Sequence, residues 1–135
     1  MNRRIKLVGS LAAVILVFYL AGFLPEYIRA HTLQGRVDQA DLQLETCRVL
    51  DLSGMTFLET SLKNYGLASR YSSRWFNAAK ALASQTKSAE LRQALASGLA
   101  RRDTITAQLA RGDEAAYGSV QAAYQALLTY AVASQ

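Results

Sequence analysis

The sequence contains one cysteine and one histidine, and this scarcity excludes several classes of protein. A single cysteine cannot form an internal disulfide, so the fold is not a disulfide-stapled one. His31 alone cannot supply the several ligands at set spacing that a metal site needs. No glycine-rich phosphate loop is present, and no pair of carboxylates stands out from the surface charge. We therefore expect no cofactor, no metal and no enzymatic activity.

Proline and glycine are also scarce, with one and eight residues in a chain of 135. A β-rich domain of this size would need more turn residues and more alternating β-branched residues. Alanine instead dominates the second half of the chain, which favours helices almost throughout. The sequence therefore predicts an all-α fold.

The formal net charge of +5 does not indicate a nucleic-acid partner. Three of the fifteen basic residues lie in the leader, which leaves twelve against ten acidic residues in the rest of the chain. That balance is ordinary for a solvated domain, so we expect no nucleic acid among the partners.

A long apolar run is the most informative feature that is present. Residues 7–24 are uncharged and follow the basic leader of residues 1–6. As a helix they would extend about 27 Å, close to the thickness of the hydrocarbon layer of a bilayer. A cleaved secretory signal and a buried core helix are the competing interpretations. The first is disfavoured because Tyr19 occupies the position that should be small before a cleavage site after Ala21.

The flanking charges predict the orientation of this signal-anchor helix. Arg3, Arg4 and Lys6 precede the apolar run, whereas the residues after it carry both signs. The positive-inside rule places the N-terminus in the cytoplasm and residues 25–135 outside it as an extracytoplasmic helical domain. In a bacterium this would be the inner membrane and the periplasm.

The segment after the anchor predicts a first helix that is continuous, or nearly so, with the anchor. Apolar residues recur at intervals of three and four, as on one face of an amphipathic helix. They are Ile28, Leu33, Val37, Ala40, Leu44, Cys47, Leu58, Leu62 and Tyr65, and the same register continues through Ala68, Ser72, Trp75, Ala79 and Leu82. This spacing predicts that Cys47 is buried, and the alternative is a thiol available for an intermolecular disulfide. The chain could reverse near Ser53 or near Gly66, and we favour Gly66 because a second helix, residues 67–85, then remains.

Two further helices complete a predicted antiparallel bundle of about four. Ser88 is expected to cap a single helix that ends at Arg111 and Gly112, and Asp113 is expected to cap the last helix. The predicted buried seam of that last helix is Tyr117, Val120, Tyr124, Leu127 and Ala131.

Two sets of side chains are candidates for a binding site. If their stretch is helical throughout, Lys63, Arg70 and Arg74 lie on one face and could form a surface for an anionic partner, or simply a solvated face. The aromatic residues could line a pocket between helices or fill the core. They are Tyr65, Tyr71, Trp75 and Phe76.

The layout of an anchor followed by amphipathic helices resembles the extracytoplasmic sensor bundles of bacterial chemoreceptors and, more distantly, the LemA family of anchored helical proteins. The resemblance is one of architecture, with no motif matched residue by residue. We expect a non-catalytic scaffold or accessory subunit that contacts the lipid bilayer and either a protein partner or a second copy of itself. The alternative is a sensor-like bundle that binds a small anionic molecule.

Overall fold

Five α-helices make up the part of the chain that the structure describes. This computed structural model describes the backbone of residues 2–133 and the side chains of residues 16–19 and 33–133. The helices are α1 (Asn2–Ser61), α2 (Tyr65–Gln85), α3 (Ala89–Leu99), α4 (Arg102–Arg111) and α5 (Ala115–Ala133). No strand occurs within residues 2–133, so the predicted all-α fold is confirmed.

The chain divides into two compact units, Met1–Ala40 and Asp41–Gln135. The first unit contributes only the N-terminal part of α1. The second unit contains the rest of α1, the four shorter helices and the whole of the described hydrophobic core. The residue range of α1, Asn2–Ser61, extends over both units.

The predicted membrane span falls almost entirely on residues whose side chains are not described. Among the described residues, no helix has an apolar stretch long enough to cross a bilayer. Of the predicted span over residues 7–24, only residues 16–19 are described with their side chains. The span therefore stays a prediction, as does any role for His31.

The first reversal of the chain lies where the favoured prediction placed it, just before Gly66. The amide of Asn64 donates to the carbonyl of Glu59 at 2.8 Å, and the amide of Lys63 donates to that of Thr60 at 3.0 Å. This hydrogen-bond pair is a Schellman motif, which satisfies the last carbonyls of α1. Lys63 has a φ of 58°, in the left-handed region that the motif requires.

The other candidate reversal, near Ser53, is wrong. Ser53 lies within α1, is fully buried, and its hydroxyl donates to the carbonyl of Leu50 at 2.8 Å. Its side chain is therefore satisfied by its own helix and caps nothing.

All five helices contribute to a single core. Its buried apolar residues are Val49, Leu52, Ala68, Trp75, Phe76, Ala79, Leu82, Leu91, Leu95, Ile105, Leu109, Ala116, Val120, Ala123 and Leu127. The predicted register of α2 is confirmed, because Ala68, Ser72, Trp75, Ala79 and Leu82 are all buried.

The inward face of α1 differs from the predicted one. The residues that it buries are Val49, Leu52, Ser53, Thr56 and Thr60. The hydroxyls of Thr56 and Thr60 donate to the carbonyls of Leu52 and Thr56 at 2.8 and 2.7 Å. Because these hydroxyls are hydrogen-bonded within the helix, small polar residues can be buried there at little cost.

The described side chains of the predicted stripe that lie on α1 are consequently exposed. Leu44, Leu58 and Leu62 expose 67%, 46% and 66% of their surface in the second unit. Cys47 is exposed as well, so the prediction that it is buried is wrong. In the first unit, Leu33 and Val37 are also exposed.

The single helix predicted between Ser88 and Arg111 is two helices, so the bundle has five helices rather than about four. The amide of Arg101 donates to the carbonyl of Gly98 at 3.1 Å, which forms a tight turn between α3 and α4. Gly98 is buried, and a Cβ on it would lie 3.4 Å from the Trp75 ring. The turn lets both short helices pack against α2 and α5.

The predicted helix termini in the second half of the chain are confirmed. The Ser88 hydroxyl accepts from the amide of Leu91 at 3.1 Å. Gly112 has a φ of 65°, and the Asp113 carboxylate accepts from the amide of Ala115 at 2.9 Å. Short-range hydrogen bonds of this kind depend on local sequence, which is why the residue types indicated them.

The buried face of α5 is shifted from the predicted seam. Its buried residues are Ala116, Val120, Ala123 and Leu127. Val120 and Leu127 belong to the predicted seam, but Tyr117 is 42% exposed and Tyr124 is only partly buried. Their rings lie 5.4 and 5.6 Å from the ring of Phe57, between centroids. Alanine occupies two of the four buried positions, and the larger tyrosines lie beside Phe57 of α1.

Candidate functional site

Two of the four candidate aromatic residues lie in the core. Trp75 and Phe76 expose only 1% and 2% of their surface, and their rings stack with centroids 4.6 Å apart. Tyr65 and Tyr71 are partly buried and pack against the same core. Of the two interpretations of this aromatic cluster, the geometry fits space filling between helices.

Lys63 does not share a helix face with Arg70 and Arg74. The interpretation required a continuous helix, but Lys63 occupies the turn between α1 and α2. Its amine lies 2.5 Å from a carboxylate oxygen of Glu114, next to the start of α5. The structure therefore separates Lys63 from the two arginines and gives it a carboxylate partner.

The Lys63–Glu114 ion pair shifts the pKa of both groups. The hydrogen bond and charge of Glu114 raise the pKa of Lys63 above its usual 10.5. The hydrogen bond and charge of Lys63 lower the pKa of Glu114 below its usual 4.5. Both side chains are exposed, so solvent screens the pair and its contribution to stability is small.

Arg70 and Arg74 lie one turn apart on the exposed side of α2. In the described part of the chain, neither has a carboxylate within ion-pair distance. Arg74 lines an open groove of about 550 Å³ between α1 and α2. Asp41, Glu45 and Arg48 line it from the α1 side, so the groove carries both signs of charge.

A second groove, with a volume of about 480 Å³, lies between α1 and α5. It is lined by Cys47, Leu50, Asp51, Gly54, Met55, Leu58 and Tyr124. Most of this lining is apolar and part of it is exposed, a combination typical of surfaces that contact another protein.

The described side chains include one free thiol and no cluster of metal-ligand residues. No group of three or more histidine, cysteine or acidic side chains occurs there in a metal-binding arrangement. Cys47 is exposed with a free thiol, and it lines the second groove together with Leu50, Asp51 and Met55.

The exposed face of α1 is the feature that the sequence interpretation did not identify as functional. We define this outer face by Leu44, Cys47 and Leu58 in the second unit. In the first unit, Leu33 and Val37 are exposed at positions with the same helical spacing. A sequence signal for it exists. A second periodic set, which includes Val49, Leu52 and Thr56, runs along the opposite side of the helix, so α1 has two faces able to pack.

Comparison with protein families, with curated proteins and with solved structures finds no match to this chain in any of the three.

Proposed function

We propose that this protein is a non-catalytic, membrane-anchored helical scaffold or accessory subunit that acts through helix–helix contacts with another protein chain. The observation that carries the proposal is the outer face of α1. The core contains residues from all five helices, yet Leu44 remains 67% exposed. A face that its own bundle does not cover is available to a partner.

The proposed anchor is the helix of residues 7–24, with the N-terminus in the cytoplasm and an antiparallel bundle on the other side of the membrane. Leu16, Val17, Phe18 and Tyr19 are each between 60% and 75% exposed. Four consecutive positions point in different directions around a helix. Exposed and largely apolar side chains around this circumference support contact with lipid.

Fractionation and protease accessibility test the anchor. The full chain, produced in bacterial cells with a C-terminal tag, should stay in the membrane fraction after alkaline extraction. Added protease should remove the tag from spheroplasts without lysis. Recovery in the soluble fraction, or protection of the tag until lysis, would contradict the proposal.

Photo-cross-linking tests the contact surface. A photoreactive amino acid at Leu44 should give protein adducts in membranes. The same amino acid at Arg70, on the exposed side of α2, should give few. The reverse pattern would show that α1 is not the contact surface.

A second candidate function is binding of a small anionic molecule by Arg70 and Arg74. It is favoured by the two exposed guanidinium groups, which have no carboxylate partner in the described part of the chain. Phosphate or a dicarboxylate at constant ionic strength should then raise the unfolding temperature. Arg74→Gln should abolish the rise, and Arg102→Gln on α4 is the matched control.

A further inference from the structure

The sequence of residues 33–47 follows a heptad pattern that includes Leu44 and Cys47 of the outer face. The spacing alternates between four and three residues, as in the a and d positions of a coiled coil. The d positions are Leu33, Ala40 and Cys47, and the a positions are Val37 and Leu44. Asp51 occupies the next a position and ends the apolar pattern.

In the second unit, the bundle leaves Leu44 and Cys47 uncovered because it packs the other side of α1. Within the second unit, Val49, Leu52 and Thr56 are buried, whereas Leu44 and Cys47 are exposed. At 100° per residue, the buried and the exposed sets lie on roughly opposite sides of the helix. Within the first unit, Leu33 and Val37 are 59% and 57% exposed.

The charged residues that flank the heptad positions indicate which partner would fit this face. Arg36 is a g position and Asp41 is the e position five residues later. In a parallel, in-register pair of identical helices, a g residue of one chain faces that e residue of the other. Both side chains are exposed, and neither has an ion-pair partner among the described residues. A second copy therefore offers charge complementarity at two symmetry-related places.

We propose that the occupant of the outer face is a second copy of this chain, parallel and in register along residues 33–47. Arg36 of each copy pairs with Asp41 of the other, and the two Cys47 side chains face each other. A β-branched residue at an a position with leucine at a d position, as in Val37 and Leu33, favours two strands.

The seam is short, so its strength depends on how the two copies are held. Two heptads cover only about 22 Å, and so short a coiled coil is marginal in free solution. Two copies anchored in one membrane have a high effective concentration, which favours pairing. In this respect the inference rests on the proposed function.

Cross-linking at cysteine tests the pairing directly. The full chain in vesicles, treated with a short bis-maleimide, should give a covalent dimer through Cys47. In a Cys47→Ser background, Ala40→Cys at the d position should restore the dimer, whereas Gln39→Cys at the neighbouring c position should not. Equal yields at residues 39 and 40, or no dimer at residues 40 and 47, would overturn the inference.

Charge reversal tests the register. Arg36→Glu replaces two attractions by two repulsions and should lower the dimer yield about tenfold. Adding Asp41→Arg restores opposite charges and should restore the yield. An unchanged yield in Arg36→Glu, or no rescue in the double variant, would overturn the parallel in-register arrangement.

The two proposals fail in different ways. Adducts between Leu44 and a different protein, without dimers through Cys47, would overturn the second-copy inference and leave the proposed function standing. Cys47-linked dimers of a chain that is released from membranes would overturn the proposed function and leave the second-copy inference standing.

Discussion

Two helices end at a residue in the left-handed conformation, one at a lysine and the other at a glycine. Lys63 closes α1 and Gly112 closes α4, and both adopt a positive φ within the same hydrogen-bond pattern. Glycine adopts this conformation without steric cost, whereas a residue with a Cβ does not. The α1 terminus therefore carries a local strain that the α4 terminus lacks.

We expect Lys63→Gly to be more stable than Lys63→Ala. Both variants lose the ion pair with Glu114, so the difference reports the backbone alone. The free energy of unfolding should be higher in the glycine variant by about 1 kcal/mol. Urea unfolding followed by the fluorescence of Trp75, the single tryptophan, measures it. Equal stabilities would contradict a left-handed Lys63.

The ion pair between Lys63 and Glu114 predicts that its contribution to the free energy of unfolding is lost at both low and high pH. Glu114 has a lowered pKa, so its contribution is lost as the pH falls from 4.5 through the folded-state value. Lys63 has a raised pKa, so its contribution is lost as the pH rises from 10.5 through the folded-state value.

The unfolding midpoint of Glu114→Gln, compared with that of the wild type across pH, checks both losses. The small difference should be largest between the two pH ranges and should shrink in high salt. A difference that persists at pH 2 would rule out the ion pair as its origin.

Leu127 and Leu128 are adjacent on α5 but lie in different surroundings. Leu127 is 5% exposed and Leu128 is 37% exposed. Leu127→Ala should cost about 2–5 kcal/mol of unfolding free energy because it leaves a cavity in the core. Leu128→Ala, the matched control, should cost about 1 kcal/mol or less. Similar losses at both positions would mean that the buried face of α5 is assigned wrongly.

At the scale of the helix, α3 depends on its N-cap more than a longer helix would. It has 11 residues, too few to be stable in isolation. The Ser88 hydroxyl accepts from the amide of Leu91, and Glu90 lies in the first turn. The pKa of Glu90 is lowered by its own backbone amide and by the Ser88 hydroxyl, so this carboxylate favours the charged form.

Ser88→Ala should therefore lower the free energy of unfolding by about 1 kcal/mol. Ser97→Ala is the matched control, because the exposed Ser97 hydroxyl donates only to the carbonyl of Ala94 in its own helix. It should change stability by less than about 0.5 kcal/mol. Trp75 fluorescence in urea measures both, and equal losses would argue against the cap.

At the scale of the whole chain, the two units have different physical characters. The described side chains of Met1–Ala40 are exposed, whereas Asp41–Gln135 contains the described core. A unit with its own core can fold independently of its neighbour.

A chain that begins at Asp41 should therefore have the same free energy of unfolding as the full chain, within about 0.5 kcal/mol. Urea unfolding of both chains in mild detergent measures it. The emission maximum of Trp75 should be the same in both chains. The truncated chain should sediment as a monomer, because it lacks residues 33–40. A lower midpoint or a red-shifted emission would mean that the first unit stabilises the bundle.

Much of this fold can be predicted from the sequence because it depends on interactions between residues that are close in the chain. The caps at Ser88 and Asp113, the left-handed Gly112 and the register of α2 all depend on residues within one or two turns. The side of α1 that packs inward depends on the other helices, because both of its sides are able to pack. Thr56 and Thr60, which hydrogen-bond within their own helix, are buried, whereas Leu44, Leu58 and Leu62 are exposed. The turn between α3 and α4 could not be predicted either, because the packing that accompanies it is against α2 and α5, which lie elsewhere in the chain.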